Sequence, residues 1–216
     1  MSAGTGAKAA SLQGLIDSGA RFGAILADPP WPFRVYSGRG KRRSVERHYP
    51  TMSHADIRTG RFGPAGGPGP VEIAALALPH CALFLWAVLP QLPEALAVIE
   101  AWGFEYKTAA FCWVKTNRGV GGPATGMGYW TRSNAELVLL ATRGAPRRLA
   151  RDVPQIVMAP RGAHSAKPSI VHDSIERLVP GPYLELFARR MAPRWTVWGN
   201  GIEPSLFDGS IDEAAA

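Results

Sequence analysis

The feature that most limits the fold is a succession of short apolar runs closed by breakers and separated by stretches of helical period. The runs are Phe22 to Ala27, Cys81 to Trp86, Tyr106 to Val114, Ala135 to Thr142, Tyr183 to Ala188 and Trp195 to Trp198. Runs of this length bounded by turn residues read as buried strands. Between the second and third, Leu89 to Trp102 sets Leu92, Leu96 and Ile99 on one face and meets Gly103 as a C-terminal cap, which predicts an amphipathic helix. Pro168 opens a second helix, striped by Val171, Ile175 and Leu178 and stopped by Pro180-Gly181. Strands alternating with helices predict an α/β protein with a parallel-rich sheet. The 216 residues suit a single domain with frayed termini, and no internal repeat interrupts them.

Composition narrows the function classes. With 46% hydrophobic and 19% charged residues the chain can bury a core. Its 24 glycines and 19 prolines imply many loops. Gly60 to Pro70 reads as a surface loop, and Lys115 to Ser133, polar and glycine-rich, is too long for a plain connector. A net charge of +7 favours polyanionic partners. Cys81 and Cys112 sit in apolar runs, where free buried thiols are expected rather than metal ligands or a disulfide. Met1 to Ala10 has no apolar leader, and Cys81 to Leu89 falls short of the roughly 18 apolar residues of a membrane span. The expectation is a soluble, cytoplasmic protein without a membrane partner. The histidines and cysteines show no metal-ligand spacing, so no metal is expected.

The chemistry is concentrated in Asp28-Pro29-Pro30-Trp31, at the carboxyl end of the first apolar run. Open α/β sheets bind ligands there. Two prolines fix a rigid turn, whose carbonyls are expected to point outward as unpaired acceptors beside the Asp28 carboxylate. Such acceptors suit an exocyclic arylamine. Its nitrogen shares its lone pair with the ring, and acceptors holding its hydrogens turn that pair towards an electrophile. Trp31 would then stack on a base flipped out of its helix. The alternative is a strand ending in a Pro-Pro turn with a core tryptophan.

With this motif, four further stretches resemble in order the catalytic subunit of the eukaryotic messenger-RNA adenosine N6-methyltransferase and its bacterial and phage relatives. They are His48-Tyr-Pro-Thr-Met-Ser53, Leu83-Phe-Leu-Trp86, Trp113-Val-Lys-Thr-Asn117 with Gly128-Tyr-Trp130, and Ser165-Ala-Lys-Pro168 leading to Glu185-Leu-Phe-Ala-Arg189 and Gly199-Asn200. The likeness spans about residues 20 to 202. It implies a Rossmann-like methyltransferase sheet in circularly permuted order, with the catalytic motif N-terminal and the donor-binding strands C-terminal. The implied cofactor is S-adenosylmethionine, near Asp28, Pro29, Lys167, Glu185, Phe187, Arg189, Asn200 and Gly201. The implied reaction is direct attack by the adenine amine, with Asp28 and the Pro29 carbonyl holding it in the turn that Pro30 and Trp31 complete. Lys supplies a point charge and Asn both a donor and an acceptor, which suits a carboxylate and ribose hydroxyls. The chain departs from the eukaryotic pattern between Arg189 and Trp195, where it is about two residues shorter and carries Met191 and Ala192 in place of polar donor contacts.

Downstream of the turn, Arg39, Lys41, Arg42, Arg43, Arg47 and His48 form a basic loop that reads as a phosphate grip, against a merely solvated surface. Arg143, Arg147, Arg148 and Arg151 form a second cluster, open to either reading. Tyr49 is a candidate wall of the adenine pocket or a core tyrosine. Trp130 is expected to anchor the long loop to the core, and His164 to be inert. The function so predicted is adenine N6-methylation of nucleic acid, DNA favoured over RNA because compact relatives without RNA-binding appendages resemble bacterial and phage enzymes. A monomer suffices. The rivals are a catalytically silent nucleic-acid-binding subunit, which would lack the motif's acid or aromatic, and methylation of a small-molecule or protein amine, which leaves the basic loop without a purpose.

Overall fold

The computed structural model describes residues 6–32, 51–63, 69–117, 122–126, 128, 130–162, 166–199 and 202. Among these, eight strands form one sheet: β1 (Ala7–Lys8), β2 (Phe22–Ala27), β3 (Ala77–Ala87), β4 (Glu105–Thr116), β5 (Ala135–Arg143), β6 (Ile156–Pro160), β7 (Tyr183–Leu186) and β8 (Trp195–Trp198), in the order β1-β8-β7-β2-β3-β5-β4-β6. Every neighbouring pair is parallel except those of β5, which runs against β3 and β4. The mixed α/β architecture expected from the alternation of runs is therefore the one observed.

Each face of the sheet carries its own core, because alternate side chains of a strand point to opposite faces. Ile25, Ala27, Leu83, Leu85, Leu184 and Leu186 pack with Leu12 of α1 (Leu12–Asp17), Ile57 of α2 (His54–Thr59) and Val98 and Ile99 of α3 (Leu92–Ala101). Ala24, Leu26, Phe84, Trp86, Trp195 and Val197 pack on the opposite face with Val171 and Ile175 of α4 (Ile170–Leu178). All six residues of β2 are buried, as a central parallel strand covered on both sides requires.

Four elements escape the sequence pattern. Helices α1 and α2 have six residues each, too few to display a period; they are fixed by Ser11 and Ser53, whose side chains accept the Gly14 and Asp56 amides, and α2 is closed by Gly60 at φ 74°. The amino-terminal part expected to fray is held by β1 on β8. Strand β6 is an edge with Ile156 and Met158 exposed, so its apolar residues do not mark a buried run. Of the expected surface loop at Gly60 to Pro70, Phe62 is buried in the core. The helix expected from Pro168 begins at Ile170.

Met191 and Ala192, the departure from the eukaryotic pattern, pack into the core on the α4 face. Cys81 and Cys112 are both free, the first fully buried, where desolvation pushes its thiol up to about 12. No helix among the described residues is long and apolar enough to cross a membrane.

Candidate active site

Strand β2 has β3 on one side and β7 on the other, and Asp28 stands immediately beyond its carboxyl end. The turn that follows is tied down at each residue. The Asp28 amide donates to the Leu186 carbonyl at 3.4 Å, the Trp31 amide to the Pro29 carbonyl at 2.8 Å, and the Met52 amide to the Pro30 carbonyl at 2.9 Å. Gln91 donates through Nε2 to the Pro32 carbonyl, and its Oε1 meets His54 Nε2 at 2.9 Å. The expectation of unpaired proline carbonyls is thus corrected: Pro29 and Pro30 each already accept one amide. A carbonyl oxygen has two lone pairs, so each retains capacity for one further bond.

Trp31 also departs from expectation. Its ring is 7% exposed and its indole N–H donates to the Trp86 carbonyl at 3.0 Å, so it belongs to the core rather than standing free to stack on a base. The physical reason is the N–H itself, which must find an acceptor once the ring is buried. The result is a turn keyed to β3.

Around Asp28 the chain gathers three further charges. Lys167, 139 positions away on the segment before α4, places Nζ 2.9 Å from both Asp28 carboxylate oxygens. The same ammonium is 3.3 Å from Glu136 Oε2, and Glu136 Oε1 is paired at 2.5 Å with Lys115 Nζ. Both cations lie on indole faces, Lys167 5.0 Å from the Trp86 ring centre and Lys115 5.2 Å from that of Trp113, and the two tryptophans meet edge to face at 6.1 Å. Glu136 belongs to the beginning of β5, in register with Trp113; because β5 runs backwards, its first residues reach the carboxyl ends of its neighbours. A cavity of about 120 Å³ opens beside Glu136, lined by Trp113, Lys115, Arg161, Gly162 and Ala166.

The electrostatics follow from this packing. Burial disfavours the Lys167 ammonium, yet Asp28 and Glu136 outweigh it and hold its pKa above the ordinary 10.5. Burial likewise pushes the Glu136 carboxyl up, and Lys167 and Lys115 outweigh it, holding it below 4.5. At neutral pH these two groups are fully charged, so Lys167 acts as a fixed cation and not as a base.

Sequence reasoning missed Glu136, Lys115 and the tryptophan pair. A signal existed: a carboxylate heading the apolar run Ala135 to Thr142 must find a cation when that run is buried. Of the other expected residues, Glu185 meets His172 Nε2 with its carboxylate at 2.8 Å on the α4 face of β7. Phe187 follows β7 at φ 63°, its ring packed on Phe62 at 5.0 Å and Trp198 at 5.5 Å. Arg189 is half-buried beyond it. The β7 and β8 chain ends touch at Gly199, where a Cβ would lie 2.2 Å from the Ala188 carbonyl oxygen. Trp130, expected to anchor its loop, is 96% exposed at φ 67°. Arg143 donates to the Ala74 carbonyl at 2.7 Å, whereas Arg147, Arg148 and Arg151 are exposed. Arg39, Lys41, Arg42, Arg43, Arg47, His48, Tyr49, His164, Asn200 and Gly201 lie outside the described residues. Among the described residues no group of three or more His, Cys, Asp or Glu could hold a metal ion.

The chain matches the MT-A70 family model over residues 22–201. It is 32% identical over 219 aligned residues to the type II methyltransferase M.MunI of a Mycoplasma species, covering 89% of this chain and 84% of that protein. It is 30% identical to the human N(6)-adenine-specific methyltransferase METTL4, covering 88% of this chain and 39% of METTL4. A Medicago truncatula protein named putative N(6)-adenosine-methyltransferase MT-A70-like is 28% identical, over 78% of this chain and 24% of its own length.

Proposed function

The chain belongs to the MT-A70 family, and from that premise we propose that it transfers a methyl group from S-adenosylmethionine to N6 of adenine in nucleic acid, with DNA as its substrate. The observation that carries the reading is the Asp28-Lys167 pair on a locked turn at the carboxyl end of β2. The strand order agrees with a permuted methyltransferase sheet, since β7 and β8, last in sequence, lie directly beside β2.

The donor's chemistry fits the residues present. An amino acid bearing a sulfonium needs a carboxylate for its ammonium, a cation for its carboxylate and an apolar wall for its base; Asp28, Arg189 and Phe187 offer these. When bound, the donor supplies an electrophilic methyl group. Asp28 and the remaining lone pair of the Pro29 carbonyl hold the amine hydrogens and so direct the nitrogen lone pair outward. Lys167 donates to both carboxylate oxygens of Asp28 and so fixes its plane. The locked turn requires little rearrangement on binding, which is the benefit of preorganised acceptors. Trp31 holds the turn on β3, and the basic residues Arg39 to His48 grip the phosphates.

Preference for DNA draws on the likeness to the type II methyltransferase M.MunI, of which the chain covers 84%. The test is incubation with labelled S-adenosylmethionine and single-stranded DNA, duplex DNA or RNA, followed by digestion to nucleosides. Labelled N6-methyldeoxyadenosine is expected. Label on RNA alone would overturn the DNA reading, and no methylated adenine on any substrate would overturn the enzyme.

A further inference from the structure

Glu136 is the charged group in the cluster that methyl transfer does not by itself require. Both of its oxygens are committed, one to Lys115 and one to Lys167, and its side chain is 28% exposed. Lys167 is buried further, at 19%, and both oxygens of its first partner, Asp28, lie at 2.9 Å. If Asp28 accepts the hydrogens of a target amine, it must give up part of this contact. An ammonium left without a counter-ion in such a site is costly and tends to lose its proton. A second carboxylate already stands at 3.3 Å.

We infer that Glu136 is a positioning residue, a standing counter-ion to which Lys167 leans when Asp28 turns to the substrate amine. This rests on the amine-accepting role proposed for Asp28. The geometry supports the assignment from every side of Lys167. Asp28 faces it from the end of β2 and Glu136 from the start of β5; Lys115 of β4 reaches it through Glu136. Arg161, after β6, lines the cavity beside Glu136, and Arg190 donates to the Lys167 backbone carbonyl at 3.2 Å. The two anionic groups in this set both touch the ammonium, and the cations do not neutralise it. Removing Glu136 therefore lowers the proton affinity of Lys167, whereas removing Lys115, a like charge competing for the same carboxylate, raises it.

The test uses the full chain and three variants, Glu136→Gln, Glu136→Asp and Lys115→Met. The titration midpoint of Lys167 is read by carbon NMR of lysine-labelled protein without donor or nucleic acid, with Lys167→Arg assigning the signal. Rates of adenine methylation are read against pH with the same proteins. Glu136→Gln is expected to lower the midpoint by about one pH unit and Lys115→Met to raise it. Glu136→Gln is further expected to lower kcat about tenfold and to bring the alkaline fall in rate to lower pH, with KM for the donor changed less than about threefold. Glu136→Asp, which keeps the charge, recovers part of the alkaline limb. A Lys167 midpoint unmoved in folded Glu136→Gln overturns the proposal, as do identical pH–rate profiles in an active enzyme. A wild-type chain that methylates nothing, yet shows the expected shifts, overturns the methyltransferase reading and the catalytic part of this one with it. The Lys115→Met shift does not depend on the folding of the Glu136 variants; a midpoint that fails to rise overturns the proposal too.

Discussion

Two largely buried carboxylate pairings flank the segment running from Lys167 into α4, and they differ in what is left over. At His172 and Glu185 the partners number two, 10% and 14% exposed, with the imidazole set edge-on to Trp195 at 4.9 Å. Trp195 in turn gives its N–H to Glu176 at 2.7 Å, and Arg194 pairs with the same carboxylate. Each of these polar side chains has a partner in the fold. At Asp28 and Lys167 two further charges are chained on and a cavity opens alongside. The first arrangement joins a helix to a sheet. The second has surplus acceptors at a strand end, where a ligand can claim one without stripping a cation of its last partner. Burial and pairing alone do not distinguish a structural carboxylate from a chemical one; redundancy and access do.

The comparison can be broken at several points. Asp28→Ala removes the amine acceptor and is expected to cut turnover at least about 100-fold in the labelled-donor assay while donor binding by calorimetry partly survives. If that variant stays active, Asp28 is no more than a structural partner of Lys167. His172→Leu strands Glu185 and should cost about 3 kcal/mol in urea unfolding, with turnover of the folded fraction preserved. Trp31→Phe keeps an aromatic ring but loses the bond to the Trp86 carbonyl and part of the buried indole volume, for about 2 kcal/mol of stability. Because the lost bond positions the turn, its effect on kcat should exceed that on unfolding.

The pH dependence has a definite sign. Glu136 is held below 4.5, so its contribution to stability is present above that value and lost as pH falls through its folded pKa. Lys167 is held above 10.5, so its contribution is present below that value and lost as pH rises through its folded pKa. Melting temperature should fall at both ends, and Glu136→Gln should flatten the acid limb. The smallest effect concerns the thiols. Cys81, pushed up to about 12, should resist a thiol reagent at pH 8 in the native state, and the less buried Cys112 should react first.

Much of this was legible in the chain. Buried runs such as Phe22 to Ala27 announce strands because both faces must be apolar, and the longer stripes of α3 and α4 announce helices. Asp28 and Lys167 could be assigned to one site through the family likeness, although 139 positions separate them. What escaped has a common cause, that it depends on tertiary pairing. The acceptor state of the Pro29 and Pro30 carbonyls is decided by Trp31 and Met52, and the fate of the Glu185 carboxylate by which face of β7 it occupies. Glu136 looked incidental in an apolar run until the reversal of β5 brought it to Lys115 and Lys167.

That reversal has a wider consequence. The Lys115-Glu136 pair joins the last turns of β4 to the first of β5, so the long segment between them springs from two feet already fastened to each other inside the site. Closing such a segment costs only slightly more as it lengthens. The span can therefore gain, lose or exchange residues while the charges gathered around Asp28 keep their places. The ion pair is a clasp that uncouples the length of that span from the placement of the charges at the strand ends.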